Sequence, residues 1–149
     1  PLLFKLFTCK SCFQDMHFML QLEVVDRLTA GPGSKEYGRL GIMTRYHCEV
    51  EKLFQVPPTA FNPQPRVESA IVRFTPLEQP TLQAADPLVL ENVVRTAFSQ
   101  RRKTLQNSLK TLVASELLAS LSIDGSRRPE TITLEEYVTI SNALVQGRG

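Results

Sequence analysis

Asp15-Met16-His17-Phe18-Met19-Leu20-Gln21 is the stretch from which the fold can be read. Its apolar centre is short and dense, which is how a strand covered on both faces reads in an α/β sheet. Immediately downstream, residues 23–28 return to helical spacing, with Val24, Val25 and Leu28 on one side. Upstream, Leu2, Leu3, Phe4, Leu6 and Phe7 predict the end of a buried helix. Ala30-Gly31-Pro32-Gly33-Ser34 is a strong loop signal. Residues 37–48 are again helix-like, with Leu40, Met43, Thr44 and His47 along one stripe. Residues 51–56 predict a short strand stopped by Pro57-Pro58, and residues 69–74 another that ends at Pro76. The two runs suit an antiparallel pair closing the edge of a sheet. Strand, helix, helix, strand, loop, strand is the back half of an α/β domain.

Composition changes over residues 76–87, where Pro76, Pro80 and Pro87 alternate with Gln79, Thr81 and Gln83, as in a linker. Beyond it nothing reads as a strand. Residues 88–98 are amphipathic through Leu88, Leu90, Val93, Val94 and Ala97, and residues 104–112 and 115–121 each suit a helix. Ile123-Asp124-Gly125-Ser126 predicts a turn. Thr133 with Glu136 suits a capping box opening a last helix from Leu134 to about Leu144. The expected fold class is therefore α/β + α: residues 1–78 form the α/β part, and residues 79–149 a small all-α domain.

Composition, with 42% hydrophobic and 21% charged residues, excludes a disordered chain. No apolar run approaches the roughly 20 residues that cross a bilayer, so no membrane partner is expected. The chain opens on Pro1 with no initiator Met, and a buried helix end follows at once, as in a piece of a larger fold. The net charge of +2 is uninformative, but its distribution is not. Residues 91–110 hold Arg95, Arg101, Arg102, Lys103 and Lys110 against Glu91 alone, a local +4 that leaves −2 for the remainder. Such a patch fits a polyanion at one face, and equally a solvated helix surface.

Three cysteines, Cys9, Cys12 and Cys48, make an odd count without a disulfide framework, which points to a reducing cytoplasm. Cys9-Lys-Ser-Cys12 is a lone C-x-x-C. His17, His47 and Cys48 supply no second close pair, so the spacing argues for no metal site. No Ser-His-Asp or paired-carboxylate set is apparent, and no hydrolytic site is expected.

Two motifs carry chemistry. In Phe61-Asn62-Pro63-Gln64-Pro65-Arg66-Val67-Glu68-Ser69, Pro63 and Pro65 fix their own φ and push the preceding residues toward extended backbone. A loop shaped by these two prolines presents Phe61 stiffly, as a stacking platform for a nucleobase or as a core plug. In Phe98-Ser99-Gln100-Arg101-Arg102-Lys103-Thr104-Leu105, three consecutive cations can bridge successive phosphates and Gln100 can add a polar contact. The same residues can also form a basic face that supports a helix end. Lys110 adds a further cation downstream.

Taken in order, these segments resemble the bacterial 16S ribosomal RNA adenine dimethyltransferases. Residues 15–21 with Glu23-Val24-Val25 look like that family's central strand and following helix, and Tyr37-Gly38-Arg39-Leu40 like its next helix start. Phe61 to Ser69 matches its Phe-x-Pro-x-Pro-x-Val-x-Ser loop. Phe98 with residues 100–105 matches its Gln-Arg-Arg-Lys signature. Each motif alone is weak, but the ordered set at nearly constant spacing is specific. The C-x-x-C departs from the family pattern.

The resemblance implies the C-terminal half of a Rossmann-like methyltransferase sheet followed by a helical RNA-facing domain. It implies transfer of two methyl groups from S-adenosylmethionine to the exocyclic amine of each of two adjacent adenosines. Those adenosines lie in a hairpin loop near the 3′ end of 16S rRNA, so the implied partner is the immature small ribosomal subunit. Such an enzyme flips its target base, and Phe61 matches one layer of the aromatic sandwich that holds the ring. Arg101, Arg102, Lys103, Gln100 and Lys110 would be the RNA-binding set. The matching Asn-Leu-Pro-Tyr motif and the Gly-rich donor site would lie upstream of Pro1, leaving no cofactor-binding residue here. The expectation is a chain that binds RNA without catalysing. A non-catalytic ribosome-assembly factor and the related 23S rRNA methyltransferase branch are the competing readings, and the Gln-Arg-Arg-Lys signature favours the small-subunit branch. An uncovered strand edge also invites self-association.

Overall fold

The computed structural model describes residues 1–148. They form two compact units: Pro1–Ala30 with Leu40–Pro80, and Gly31–Arg39 with the chain from Thr81 onward.

The first unit is built on an antiparallel sheet of β1 (Met16–Gln21), β2 (Cys48–Val56) and β3 (Ser69–Pro76) in the order β1-β3-β2. Met16 pairs with Phe74 and Gln21 with Ser69 on one side of β3, while Cys48 pairs with Pro76 and Val56 with Ser69 on the other. Met16, Ala70, Val72, Phe74 and Cys48 turn their side chains into one core, which Phe7 of α1 (Leu2–Phe7) and Val25 and Leu28 of α2 (Leu22–Thr29) complete. Burying each of the larger of these side chains is worth about 1.5–3 kcal/mol relative to exposure.

The stretch at residues 15–21 is a strand, but only one of its faces is covered among the described residues. His17, Met19 and Gln21 are exposed, so the density of apolar residues around Phe18 over-stated its burial. Across the open face Met19 pairs with Ile71, and Ile71 with Phe54, which gives a row whose outer members are 51% and 58% exposed. A register shift between Lys52 and Phe54 brings Phe54 onto that row.

α3 (Arg39–His47) runs directly into β2, which begins at Cys48 rather than at residue 51. Instead of a single apolar stripe, Gly41, Ile42, Met43, Thr44 and Tyr46 are all buried. Gly41 explains the close fit to α2, since a Cβ there would lie 2.5 Å from the Arg27 carbonyl oxygen. The Thr44 hydroxyl is spent within the helix, donating to the Leu40 carbonyl at 2.7 Å.

In the second unit, α4 (Pro87–Ser99) starts from an Asp86 cap whose side chain accepts from the Leu88 N–H, with Pro87 in the first turn. That start fixes the phase of the helix. Leu88 is 74% exposed, whereas Val89, Leu90, Val93, Val94 and Ala97 face inward. α5 (Leu105–Leu109) is shorter than the helix expected over residues 104–112, and α6 (Ser115–Ser120) follows. The Asp124 carboxylate accepts from the Ser126 N–H at 2.9 Å and so closes the expected turn. α7 (Leu134–Gln146) opens on a complete capping box, with Thr133 and Glu136 each bonded to the other's backbone N–H. Its Tyr137, Val138 and Ile140 are buried.

No helix among the described residues is long and apolar enough to cross a membrane.

Candidate nucleic-acid interface

Phe61 follows a 3-10 turn at Pro58–Ala60 in the loop between β2 and β3. Its N–H donates to the Pro58 carbonyl at 3.2 Å, and its side chain is half-buried. Pro63 is exposed, Pro65 is half-buried, and the Asn62–Pro63 peptide bond is cis. The far end of the loop is tied down by the Leu22 N–H, which donates to the Glu68 carbonyl at 2.9 Å. A ring partly open to solvent on a braced loop can stack on a flat partner, and it is absent from the buried core.

The cationic signature belongs to the second unit. Gln100 caps α4, and Arg101, Arg102 and Lys103 form the turn to Thr104, closed by the Lys103 N–H donating to the Gln100 carbonyl at 2.9 Å. Gln100, all three cations and Lys110 are exposed. They are not equivalent, however. The Arg101 guanidinium donates to the carbonyls of Lys35 at 2.6 Å and Tyr37 at 2.9 Å, and lies 5.9 Å from the Phe98 ring centroid. The side chains of Arg102, Lys103 and Lys110 make no hydrogen bond or ion pair among the described residues.

The acceptors of Arg101 lie in a segment that the sequence assigned to the α/β part. Residues 31–39 are instead lodged in the second unit. Tyr37 is buried there and its hydroxyl donates to the Ile132 carbonyl at 2.7 Å. The Gly33 N–H donates to the Glu130 carbonyl at 2.6 Å, with Gly33 at φ +89°, a backbone that favours glycine. Arg39 pairs with Glu91 at 2.6 Å, so the one acid of the 91–110 stretch is already partnered. The loop signal at Ala30–Ser34 was legible, but nothing local in it announces these distant anchors.

In the same unit, Arg127 donates to Glu136 at 2.6 Å. Burial alone would raise the Glu136 carboxyl, but hydrogen bonds from Arg127 and the Thr133 N–H hold it below the usual carboxylate range. The Tyr137 hydroxyl donates to the Pro129 carbonyl at 2.8 Å, and burial pushes its ionisation well up.

Cys12 is exposed, Cys48 is buried at the start of β2, and the His47 and Phe7 rings stack with centroids 4.8 Å apart. Among the described residues no group of three or more His, Cys, Asp or Glu is gathered as a metal site.

A family model described as ribosomal RNA adenine dimethylase matches residues 1–146. The chain belongs to that family. Ribosomal RNA small subunit methyltransferase A of Saccharophagus degradans is 56% identical over 144 residues, a match covering 97% of this chain and 54% of that protein. The protein of the same name from Chromohalobacter salexigens is 52% identical, covering 98% of this chain and 52% of its own length. The chain therefore spans about half the length of the curated relatives it matches. A dimethyladenosine transferase from Plasmodium falciparum has a similar structure, with TM-score 0.83 and 26% identity over 99% of this chain and 62% of that one. The 23S rRNA methyltransferase ErmE shares the fold, with TM-score 0.64 and 24% identity over 89% of this chain and 55% of its own. The motif resemblance and the family match agree, and the α/β fold with a small antiparallel sheet and several helices is similar to that of the matched parts of the two solved structures.

Proposed function

We propose that this chain is the RNA-facing part of an S-adenosylmethionine-dependent rRNA adenine N6,N6-dimethyltransferase. The whole enzyme dimethylates two adjacent adenosines in a hairpin loop near the 3′ end of 16S rRNA during small-subunit biogenesis in the cytoplasm. The observation that carries this reading is the 56% identity with a small-subunit methyltransferase along nearly the whole chain. In this reading residues 1–78, apart from the loop at 31–39, are the C-terminal half of a Rossmann-like methyltransferase domain, and residues 79–149 a helical domain that meets RNA. Phe61 stacks on the target adenine from a loop shaped by Pro63 and Pro65. Arg101, Arg102, Lys103, Gln100 and Lys110 form the RNA-binding surface.

In this reading no residue of the chain is assigned to the methyl donor. Close approach of backbone to such a ligand calls for a glycine-rich turn after a strand. β1 instead passes straight into α2 at Leu22, with no glycine between them. In this reading the chain by itself binds RNA and does not transfer methyl groups, because it does not hold donor and acceptor together.

Incubation with labelled S-adenosylmethionine and immature small subunits tests the second statement, and label in the RNA would overturn it. Binding of a 16S rRNA fragment containing the 3′-terminal hairpin tests the first. Affinity should fall steeply with salt, and replacing Arg101, Arg102 and Lys103 with Ala should flatten that dependence. An unchanged slope means that the cations only support the helix end. The open edge of β1 and the exposed Met19–Ile71–Phe54 row also favour self-association of the chain, which light scattering on a sizing column would detect as a dimer.

A further inference from the structure

We infer that the loop Gly31–Arg39 is a second part of the RNA-binding face, with Lys35 as its phosphate contact and Arg101 as the residue that positions it; this rests on the RNA-binding reading above. The two segments are far apart in sequence, yet Arg101 donates to the carbonyl of Lys35 itself at 2.6 Å. That bond fixes the Lys35 backbone beside the turn bearing Arg102 and Lys103. Lys35 is exposed, while the loop around it is anchored by Gly33 on Glu130, by the buried Tyr37 on Ile132, and by Arg39 on Glu91. Anchoring removes the loop's backbone freedom before binding, so meeting a phosphate costs mainly the ordering of the Lys35 side chain.

The same anchors act on the field of the patch. The Arg39–Glu91 pair occupies the lone acid of the 91–110 stretch, which leaves the neighbouring cations without an internal counter-charge from that stretch. Arg101 is different in kind from its neighbours. Its guanidinium is committed to two carbonyls, so the phosphate-facing set is Lys35, Arg102 and Lys103 rather than the contiguous run of three. The exposed acid beside Lys35 is Glu36, which opposes an incoming phosphate.

The test is binding of the full chain to a synthetic RNA hairpin with two adjacent adenosines in its loop, measured across a salt series. Lys35→Ala should weaken binding several-fold and reduce the log–log salt slope by about one, with an unchanged thermal midpoint. Glu36→Gln should tighten binding. Arg101→Ala should speed hydrogen exchange at the Gly33 and Tyr37 amides. Adding Lys35→Ala to Arg101→Ala should remove no further slope, because Arg101 acts through Lys35. Independent, additive losses would make Arg101 a phosphate contact and overturn its positioning role. If Arg102→Ala with Lys103→Ala weakens binding while Lys35→Ala and Glu36→Gln match the unsubstituted chain, this inference fails and the RNA-binding reading stands. If the unsubstituted chain does not bind the hairpin, the RNA-binding reading itself fails.

Discussion

The hydroxyl of Tyr37 and the carbonyl of Ile132 are joined at 2.7 Å across 95 residues of sequence, both in the buried interior of the second unit. Removing the donor leaves a buried carbonyl without it, which typically costs about 1–3 kcal/mol. Tyr37→Phe should therefore lower stability by an amount in that range. Tyr37→Ala, which also empties the ring's site, should lower it by about 3–5 kcal/mol. Urea unfolding followed by circular dichroism measures both, and a Phe variant as stable as the unsubstituted chain would refute the role given to this bond.

Glu136 makes stability depend on acid. Its carboxyl sits below the ordinary range in the folded chain, so the folded state binds the proton less readily than the unfolded state. The stabilisation is present above the unfolded pKa of about 4.3 and is lost as pH falls through the folded value. Glu136→Gln should unfold more easily at neutral pH and show a flatter profile between about pH 5 and 3. Thermal midpoints across that window would show it.

Gly41 is a position where even one methyl group does not fit. A Cβ would meet the Arg27 backbone oxygen at 2.5 Å, and backbone cannot rotate away as a side chain can. Gly41→Ala should destabilise the first unit by about 1–3 kcal/mol, although alanine is the better helix former.

The thiols should differ sharply in reactivity. Cys12 is exposed, whereas burial pushes the Cys48 thiol up to about 11, only partly offset by Lys10. At pH 8 a maleimide reagent should label Cys12 within minutes and Cys48 only after denaturation, since the thiolate is the nucleophile. Mass spectrometry of peptides would assign the sites.

These expectations draw on features of unequal visibility in the sequence. The Thr133–Glu136 cap was legible because its bonds span one helical turn, and the strands because their apolar runs are local. The phase of α4 was missed at Leu88, since the face it takes is set by where Asp86 and Pro87 start the helix. The position of the Gln100–Lys103 turn could be read directly. The commitment of Arg101 could not, because its acceptors are carbonyls more than sixty residues upstream, and a carbonyl carries no residue-specific signal. The open face of β1 was concealed for a related reason. Composition reports how apolar a strand is, and leaves unsaid whether anything lies on each side of it.

Because residues 31–39 nest among helices drawn from beyond residue 80, the polypeptide crosses between its two units three times: near residues 30, 39 and 80. A protease nick or a genetic crossover in the proline-rich linker would not yield two whole pieces. The upstream product would carry Tyr37 stripped of its lodging, and the downstream product an empty slot beside Ile132. Chimaeras joined at that linker should fold only when both parents agree on the loop as well as on the helices that receive it.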